Sequence, residues 1–141
     1  MKYYKNLVKK LDLTQNVIFT GKIFDKELLK ALYARADLFL FPSKYDTDGL
    51  VKFEAAAQKT PTVFLENTGA ASSILDNETG FISKDNPKDF AERIYTAITN
   101  ENLYHHVSEK VFSELYRTWE DSAEEVRDLI FELLNKKRSE K

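Results

Sequence analysis

Two carboxylates, Asp46 and Glu54, stand eight positions apart on either side of the predicted start of a helix at Gly49. The first amides of a helix lack partners within it and lie at the positive end of a dipole equivalent to about half a charge. Gly49 has no side chain, so a phosphate can approach these amides closely. The carboxylates can accept hydrogen bonds from hydroxyl groups. The segment therefore favours a ligand that carries both phosphates and hydroxyls, as a sugar nucleotide does.

The spacing of this pair alone is a weak signal, and a purely structural interpretation stays open beside it. In that interpretation Asp46 and Asp48 are turn residues and helix caps, and Glu54 lies on an exposed helix face. Which interpretation holds depends on the elements that position the segment.

Four short runs, mostly apolar throughout, predict strands that are buried on both faces of a parallel sheet. The predicted strands are Val17–Thr20, Asp37–Phe41, Thr62–Leu65 and Gly80–Ser83. Ligands of open α/β sheets bind beyond the carboxyl ends of the strands. The turn that carries Asp46 follows the strand ending at Phe41, so the prediction places it at this edge.

Helical patterns lie between these strands and make up the last third of the chain. Asp25 is suited to cap a helix over Lys26–Arg35, and Asn86 followed by Pro87 is a clear helix start. The other predicted helices span Leu50–Gln58, Ala70–Leu75, Leu103–Tyr116 and Trp119–Asn135, and the polar tail Lys136–Lys141 follows the last. The pattern predicts an α/β fold with a parallel sheet and a helical C-terminal third.

Length and composition narrow the classes of function. A chain of 141 residues fits one domain, and a net charge of −2 gives no electrostatic reason to expect nucleic acid. The chain has no cysteine for disulfides or thiolate sites, which is compatible with the reducing cytoplasm where we expect it. The two histidines, His105 and His106, are adjacent on a predicted helix and point apart, so no metal site is predicted. No apolar run approaches the roughly 20 residues of a membrane span, so we expect membrane contact to be at most peripheral.

Five segments in a fixed order carry a family pattern that the carboxylate pair alone does not. They read NVIFTG at 16–21, LYARADLFLFPS at 32–43, DTDGLVKFEA at 46–55, TPTV at 60–63 and DNETGFI at 76–82. In this combination the chain, from about Leu11 to Trp119, resembles the C-terminal nucleotide-sugar-binding domain of the GT4 (group 1) retaining glycosyltransferases. These enzymes have two Rossmann-like domains in the GT-B architecture. The resemblance implies an incomplete Rossmann-like parallel sheet of about four strands flanked by helices.

The resemblance also implies roles for individual residues. The family's E-x7-E pair falls on Asp46 and Glu54, so Asp46 would bind hydroxyls of the donor hexose and Glu54 those of the ribose. Lys22 and Ile23 would lie near the nucleotide base. The amides of Gly49, Leu50 and Val51 would hold the diphosphate, and the turn residues Thr47 and Asp48 are further candidate donor-binding residues.

The implied reaction transfers a hexose from a nucleotide sugar, a UDP-hexose by family frequency, to a lipid or polysaccharide acceptor of the bacterial cell envelope. In such enzymes the diphosphate leaving group assists the attack of the acceptor, so the resemblance implies neither a metal nor another cofactor. Three positions depart from the family pattern. Asp46 replaces a glutamate, Lys59 a glycine, and Ser72 and Ser73 stand where the family often has an acid.

Parts of the family architecture have no counterpart in residues 1–141. Family members have an acceptor-binding N-terminal domain, and their C-terminal domain begins with two strands whose neighbouring basic residues neutralise the donor diphosphate. The family's strand order places those two strands between Val17–Thr20 and Asp37–Phe41. We therefore expect an incomplete domain that is inactive alone and prone to self-association through exposed strand edges. The alternative is a domain that closes the gap by rearranging its strands or by pairing with another chain.

Other classes stay open as alternatives. One is a non-catalytic nucleotide-binding or interaction fragment built on the same half-site. A sugar-nucleotide epimerase shares the two-domain architecture, but the Phe-Pro-Ser run at 41–43 and the carboxylate pair argue against it. A phospho-receiver domain requires an acidic cluster after its first strand and a lysine after its last, and the sequence has neither.

Overall fold

The structure is a computed structural model that describes residues 1–139 of the chain. Its helices are α1 (Lys2–Lys10), α2 (Lys26–Arg35), α3 (Val51–Ala56), α4 (Pro87–Thr99), α5 (Glu101–Lys110) and α6 (Trp119–Ser139). Its strands are β1 (Phe39–Phe41), β2 (Thr62–Leu65) and β3 (Phe81–Ser83), with a 3₁₀ turn at Gly69–Ala71 and a π-helical turn at Val111–Leu115. The predicted α/β fold with a helical C-terminal third is confirmed. Glu140 and Lys141, the end of the predicted polar tail, lie outside the described residues.

β2 is the central strand, paired in parallel with β1 on one side and β3 on the other. All four of its residues are buried, which explains the uninterrupted apolar pattern of this strand. Val63 and Phe64 point to opposite faces of the sheet and belong to separate core clusters. The first cluster contains Ala56, Val63, Phe81, Ala97, Val107 and Val111, and the second contains Phe64, Ala70, Ala71 and Ile74.

The predicted strand Val17–Thr20 is wrong, and the described residues form three strands instead of about four. This segment has no strand partner, and the side chain of Ile18 is 87% exposed. A strand exists only through hydrogen bonds to a neighbour. The apolar pattern of 17–20 is therefore present without a strand partner among the described residues.

Several other bounds differ from the predictions. β1 and β3 begin at Phe39 and Phe81 and are shorter than predicted, and α3 is shorter than Leu50–Gln58. The helix predicted at Ala70–Leu75 is only the 3₁₀ turn Gly69–Ala71. The helix predicted at Leu103–Tyr116 is α5 followed by the π-helical turn, and it starts earlier because Asn100 caps it through the Leu103 amide. α6 continues to Ser139, beyond the predicted Asn135, and α1 was not predicted.

Both predicted helix caps are confirmed. The Asp25 carboxylate accepts from the amides of Glu27 at 2.9 Å and Leu28 at 3.1 Å, and the Asn86 side chain accepts from the Asp89 amide at 2.9 Å. Among the helices within residues 1–139, none is both long and apolar enough to cross a bilayer.

Lys59 stands in a left-handed backbone conformation just beyond α3, with φ of 59°. The Thr60 amide donates to the Ala55 carbonyl across this turn at 3.1 Å. The ammonium of Lys59 bonds both carboxylate oxygens of Glu109 at 2.9 Å, and its carbonyl accepts from the Ser108 hydroxyl at 2.6 Å. The lysine that replaces the family's glycine therefore ties the end of α3 to α5.

Replacing Lys59 with glycine is expected to raise the free energy of unfolding by about 0.5–1 kcal/mol. Left-handed backbone costs a non-glycine residue about 1–2 kcal/mol, whereas an exposed ion pair contributes about 0.2–1 kcal/mol. Urea unfolding measures the difference. Glu109→Gln is the matched control, because it removes the ion pair and leaves the backbone unchanged. In the Glu109→Gln background, Lys59→Gly should raise the free energy of unfolding by a larger amount. A decrease in that background would contradict the strain argument.

Candidate functional site

The turn that follows β1 is closed by its own first carboxylate. Asp46 Oδ1 accepts from the amide of Asp48 at 3.2 Å and from that of Gly49 at 2.5 Å. Asp46 is therefore a turn residue, as in the structural interpretation, but it does not cap α3, whose N-cap residue Leu50 has no side-chain hydrogen bond. Asp46 Oδ1 occupies the Gly49 amide, one of the three that the resemblance assigns to the diphosphate, while Asp46 Oδ2 has no partner among the described residues.

Gly49 has a left-handed backbone with φ of 64° and is buried. A Cβ on this residue would lie 3.0 Å from Ala70 Cβ and 3.1 Å from Phe41 Cε1. Both the left-handed backbone and the close packing therefore favour glycine here. Within residues 1–139 the next two amides, those of Leu50 and Val51, have no backbone acceptor, and the side chain of Leu50 is exposed.

The 3₁₀ turn Gly69–Ala71 lies directly against the backbone of this turn. A Cβ on Gly69 would lie 2.2 Å from the carbonyl oxygen of Thr47 and 2.9 Å from that of Asp46. The contact leaves room only for glycine at 69, and the side chain of Thr47 is exposed. The turn 46–49 thus packs against the backbone of a second turn.

Glu54 lies on the exposed face of α3 and lines a cavity of about 510 Å³ between α2 and α3. The cavity is lined by Ile23, Phe24, Asp25, Lys26, Leu29, Lys30, Tyr33, Glu54, Ala57 and Gln58. It brings together two of the predicted donor residues, Ile23 and Glu54. Lys22 does not line the cavity. Its ammonium lies 4.7 Å from the centre of the Phe24 ring. The residues of the turn 46–49 do not line the cavity either.

Tyr33 is a cavity residue that the sequence analysis did not single out. Its hydroxyl donates to Glu54 Oε2 at 3.4 Å, and its ring packs edge-on against Phe39 with centroids 5.3 Å apart. Burial, and then the nearby Glu54 carboxylate, raises the pKa of the Tyr33 hydroxyl above its ordinary value. The signal for its role was its place in the family segment 32–43.

Lys52 is the second residue that the sequence analysis missed. It lies on the core side of α3, and its ammonium bonds Asp48, Ala70 and Ser73. Ser73 is one of the two positions where the family often has an acid. The available signal was a lysine between the apolar residues Val51 and Phe53 of the helix.

The chain belongs to the group 1 glycosyl transferases, whose family model matches residues 1–113. This confirms the resemblance that the motifs carry. The chain is 29% identical over 105 residues to a GDP-mannose-dependent α-(1-6)-phosphatidylinositol dimannoside mannosyltransferase of Mycobacterium tuberculosis, a match that covers 74% of this chain and 27% of that protein.

Two solved structures show the same fold. Sucrose-phosphate synthase from Thermosynechococcus elongatus matches with a TM-score of 0.79 and 25% identity, over 95% of this chain and 34% of that one. HepE from Anabaena, solved in complex with UDP and glucose, matches with a TM-score of 0.71 and 23% identity, over 79% of this chain and 30% of that one. The chain therefore spans about a third or less of these relatives.

Gly49→Ala is expected to lower the free energy of unfolding by about 2–4 kcal/mol, because the strained backbone and the overpacked side chain both contribute. Gly21→Ala is the matched control, since Gly21 also has a positive φ, of 70°, but has nothing within 4 Å of its Cβ position. That variant should lose only the backbone part, about 1–2 kcal/mol. Equal losses in urea unfolding would show that the contacts with Ala70 and Phe41 do not constrain the turn.

Proposed function

We propose that this chain is the donor-binding part of a retaining glycosyltransferase that transfers a hexose from a nucleotide sugar to a lipid or polysaccharide acceptor. The observation that carries the proposal is the cavity in which Ile23 and Glu54 meet, within a chain of the group 1 family. In the proposal residues 1–141 form a single domain, and the reaction uses no metal or other cofactor.

The cavity is the proposed nucleoside half of the site. Glu54 is exposed there, so its carboxylate can accept from the two hydroxyls of a ribose. The Tyr33 hydroxyl donates a hydrogen bond to one oxygen of this carboxylate. Ile23 and Phe24 supply apolar surface for a base at the same cavity. Lys22 would reach a bound nucleotide only after leaving the ring of Phe24.

The turn 46–49 and the start of α3 are the proposed diphosphate and hexose half. The amides of Leu50 and Val51 are available to phosphate oxygens, whereas that of Gly49 is held by Asp46. Asp46 Oδ2 is the oxygen left for a hexose hydroxyl. Because Asp46 is one methylene shorter than the family's glutamate, we propose that it closes its own turn and accepts from a hydroxyl at the same position.

The relatives support a nucleotide sugar as donor and leave two nucleotides to compare. HepE was solved with UDP and glucose, and the mycobacterial relative is a GDP-mannose-dependent enzyme that acts on phosphatidylinositol dimannoside. We propose UDP-hexose as donor by family frequency, and GDP-mannose is the alternative donor. The binding experiments therefore compare UDP with GDP. The mycobacterial acceptor is a lipid, which supports a lipid acceptor here.

Glu54→Ala is expected to abolish the preference of the protein for ribose over 2′-deoxyribose. A hydrogen bond to a charged group contributes about 1.5–3 kcal/mol, so the wild-type chain should bind UDP, or GDP if that is preferred, at least about 10-fold tighter than its 2′-deoxy form. Isothermal titration measures both dissociation constants. Their ratio should fall close to one in the variant.

Glu132→Ala, which removes an exposed glutamate from α6, is the matched control and should keep the wild-type ratio. A ratio that survives in Glu54→Ala would show that Glu54 is not the ribose acceptor. A wild-type chain that binds neither UDP nor GDP would overturn the proposed function as a whole.

The purified 141-residue chain is expected to bind the donor without transferring its sugar, because the acceptor side of this architecture belongs to another domain. The assay follows radiolabelled hexose transferred from UDP-glucose or GDP-mannose to lipid and oligosaccharide acceptors. Labelled acceptor above the buffer blank would contradict this expectation. Binding without transfer also fits a non-catalytic nucleotide-binding fragment, and restored transfer on addition of a group 1 acceptor domain would distinguish the two.

A further inference from the structure

Lys52 is a charged side chain in the protein interior that the proposed function leaves without a role. Its side chain is 0% exposed. The ammonium donates to Asp48 Oδ1 at 3.2 Å, to the Ala70 carbonyl at 3.1 Å and to Ser73 Oγ at 3.0 Å. An ammonium has three donors, so all of them are used. A buried charge is costly unless it is paired and hydrogen-bonded, and this one meets both conditions.

The three acceptors belong to two segments that are far apart in the sequence. Asp48 lies in the turn 46–49, whereas Ala70 belongs to the 3₁₀ turn and Ser73 follows it. The backbones of these segments are already in contact at Gly69 and Thr47. Lys52 therefore joins the candidate ligand turn to the turn that supports it.

The ammonium of Lys52 also offsets part of the negative charge in this part of the chain. The carboxylates of Asp46, Asp48 and Glu54 lie within nine consecutive residues, and the ligand of the proposed function adds a diphosphate. Amides of the turn hold Asp46, and Tyr33 bonds Glu54. Lys52 is the cation that pairs with Asp48, which is otherwise exposed.

We propose that Lys52 is a positioning residue of the donor site, which holds the turn 46–49 on the 3₁₀ turn and neutralises Asp48 so that a diphosphate is not repelled there. The identity of the ligand rests on the proposed function, whereas the link between the two turns rests on the hydrogen bonds alone. Lys52 acts through Asp48 and does not contact the ligand. Because Lys52 does not line the cavity at Glu54, its effect is confined to ligands that carry phosphate.

The test compares UDP and GDP with their nucleosides, uridine and guanosine, as ligands of four proteins. These are the wild-type chain, Lys52→Met, Asp48→Asn/Lys52→Met and Lys88→Met. Methionine keeps the length and most of the volume of lysine without its charge. Lys88 is exposed in the first turn of α4, so its substitution makes the same change of net charge away from the site.

Lys52→Met is expected to weaken binding of the nucleoside diphosphate at least about 10-fold and to leave nucleoside binding within about 2-fold. The double variant should recover at least half of this loss on a logarithmic scale, because the uncompensated carboxylate is gone. A lysine that only stabilised the core would weaken both ligands equally or neither. Equal diphosphate affinities of Lys52→Met and Lys88→Met would overturn the proposal.

Hydrogen exchange of the amides of residues 46–50 provides an independent measurement. Exchange should be faster in Lys52→Met than in Lys88→Met, and identical rates would overturn the link between the turns. If Lys52→Met does not fold, Ser73→Ala removes one acceptor, keeps the charge pair and should speed exchange in the same segment. If the wild-type chain binds no nucleotide, the proposed function fails, while exchange still decides whether Lys52 holds the turn.

Discussion

The left-handed backbone at Gly49 is the constraint on which the candidate site depends. A Cβ at this position would lie only 3.0 Å from Ala70 Cβ and 3.1 Å from Phe41 Cε1, which favours glycine. The Gly49 carbonyl accepts from the amide of Lys52 at 2.8 Å as α3 begins. The left-handed conformation lies where the turn passes into the short helix α3. The same helix presents Glu54 to the cavity. One backbone conformation therefore links the turn to the carboxylate that lines the cavity.

The charges of the segment become consistent with a phosphate ligand once their partners are known. From the sequence alone, the only resolution is that carboxylates meet hydroxyls while amides meet phosphates. The structure adds that Asp46 is held by amides of its own turn and Asp48 by a buried ammonium. Each acid next to the proposed diphosphate position is therefore already engaged by a donor. The cost is that Asp46 occupies the Gly49 amide, so phosphate oxygens would rely on Leu50 and Val51.

The sequence predicts well those features that are coded locally. The capped starts of α2 and α4 follow from Asp25 and Asn86, and β2 follows from an apolar run that is buried on both faces. The Val17–Thr20 run has the same local code and is not a strand, because pairing depends on a neighbour that local patterns do not contain. The predicted helix over Leu50–Gln58 placed Glu54 correctly in a helix, but the sequence could not show that Asp46 closes its own turn.

Lys52 and Tyr33 were missed for a related physical reason. A lysine in a sequence predicts an exposed side chain, since a buried ammonium requires hydrogen-bond acceptors from other segments. Two of the three acceptors of Lys52 belong to residues about 20 positions away. Tyr33 reaches Glu54 across 21 positions, from one helix to the next. Side chains of this kind are identified only when the tertiary contacts are known. The residues that hold a site in place are therefore harder to predict than those that touch its ligand.

The turn depends on contacts with the interior and not on the free side of β1. β1 is an outer strand of the described sheet, and Leu40 in it is 43% exposed. The turn is held instead by Phe41, which packs edge-on against Phe64 of β2, and by Ala70 from the same core cluster. Gly49 meets both Phe41 and Ala70 at the position where a Cβ would stand. The geometry of the proposed diphosphate half therefore follows from contacts among β1, β2 and the 3₁₀ turn.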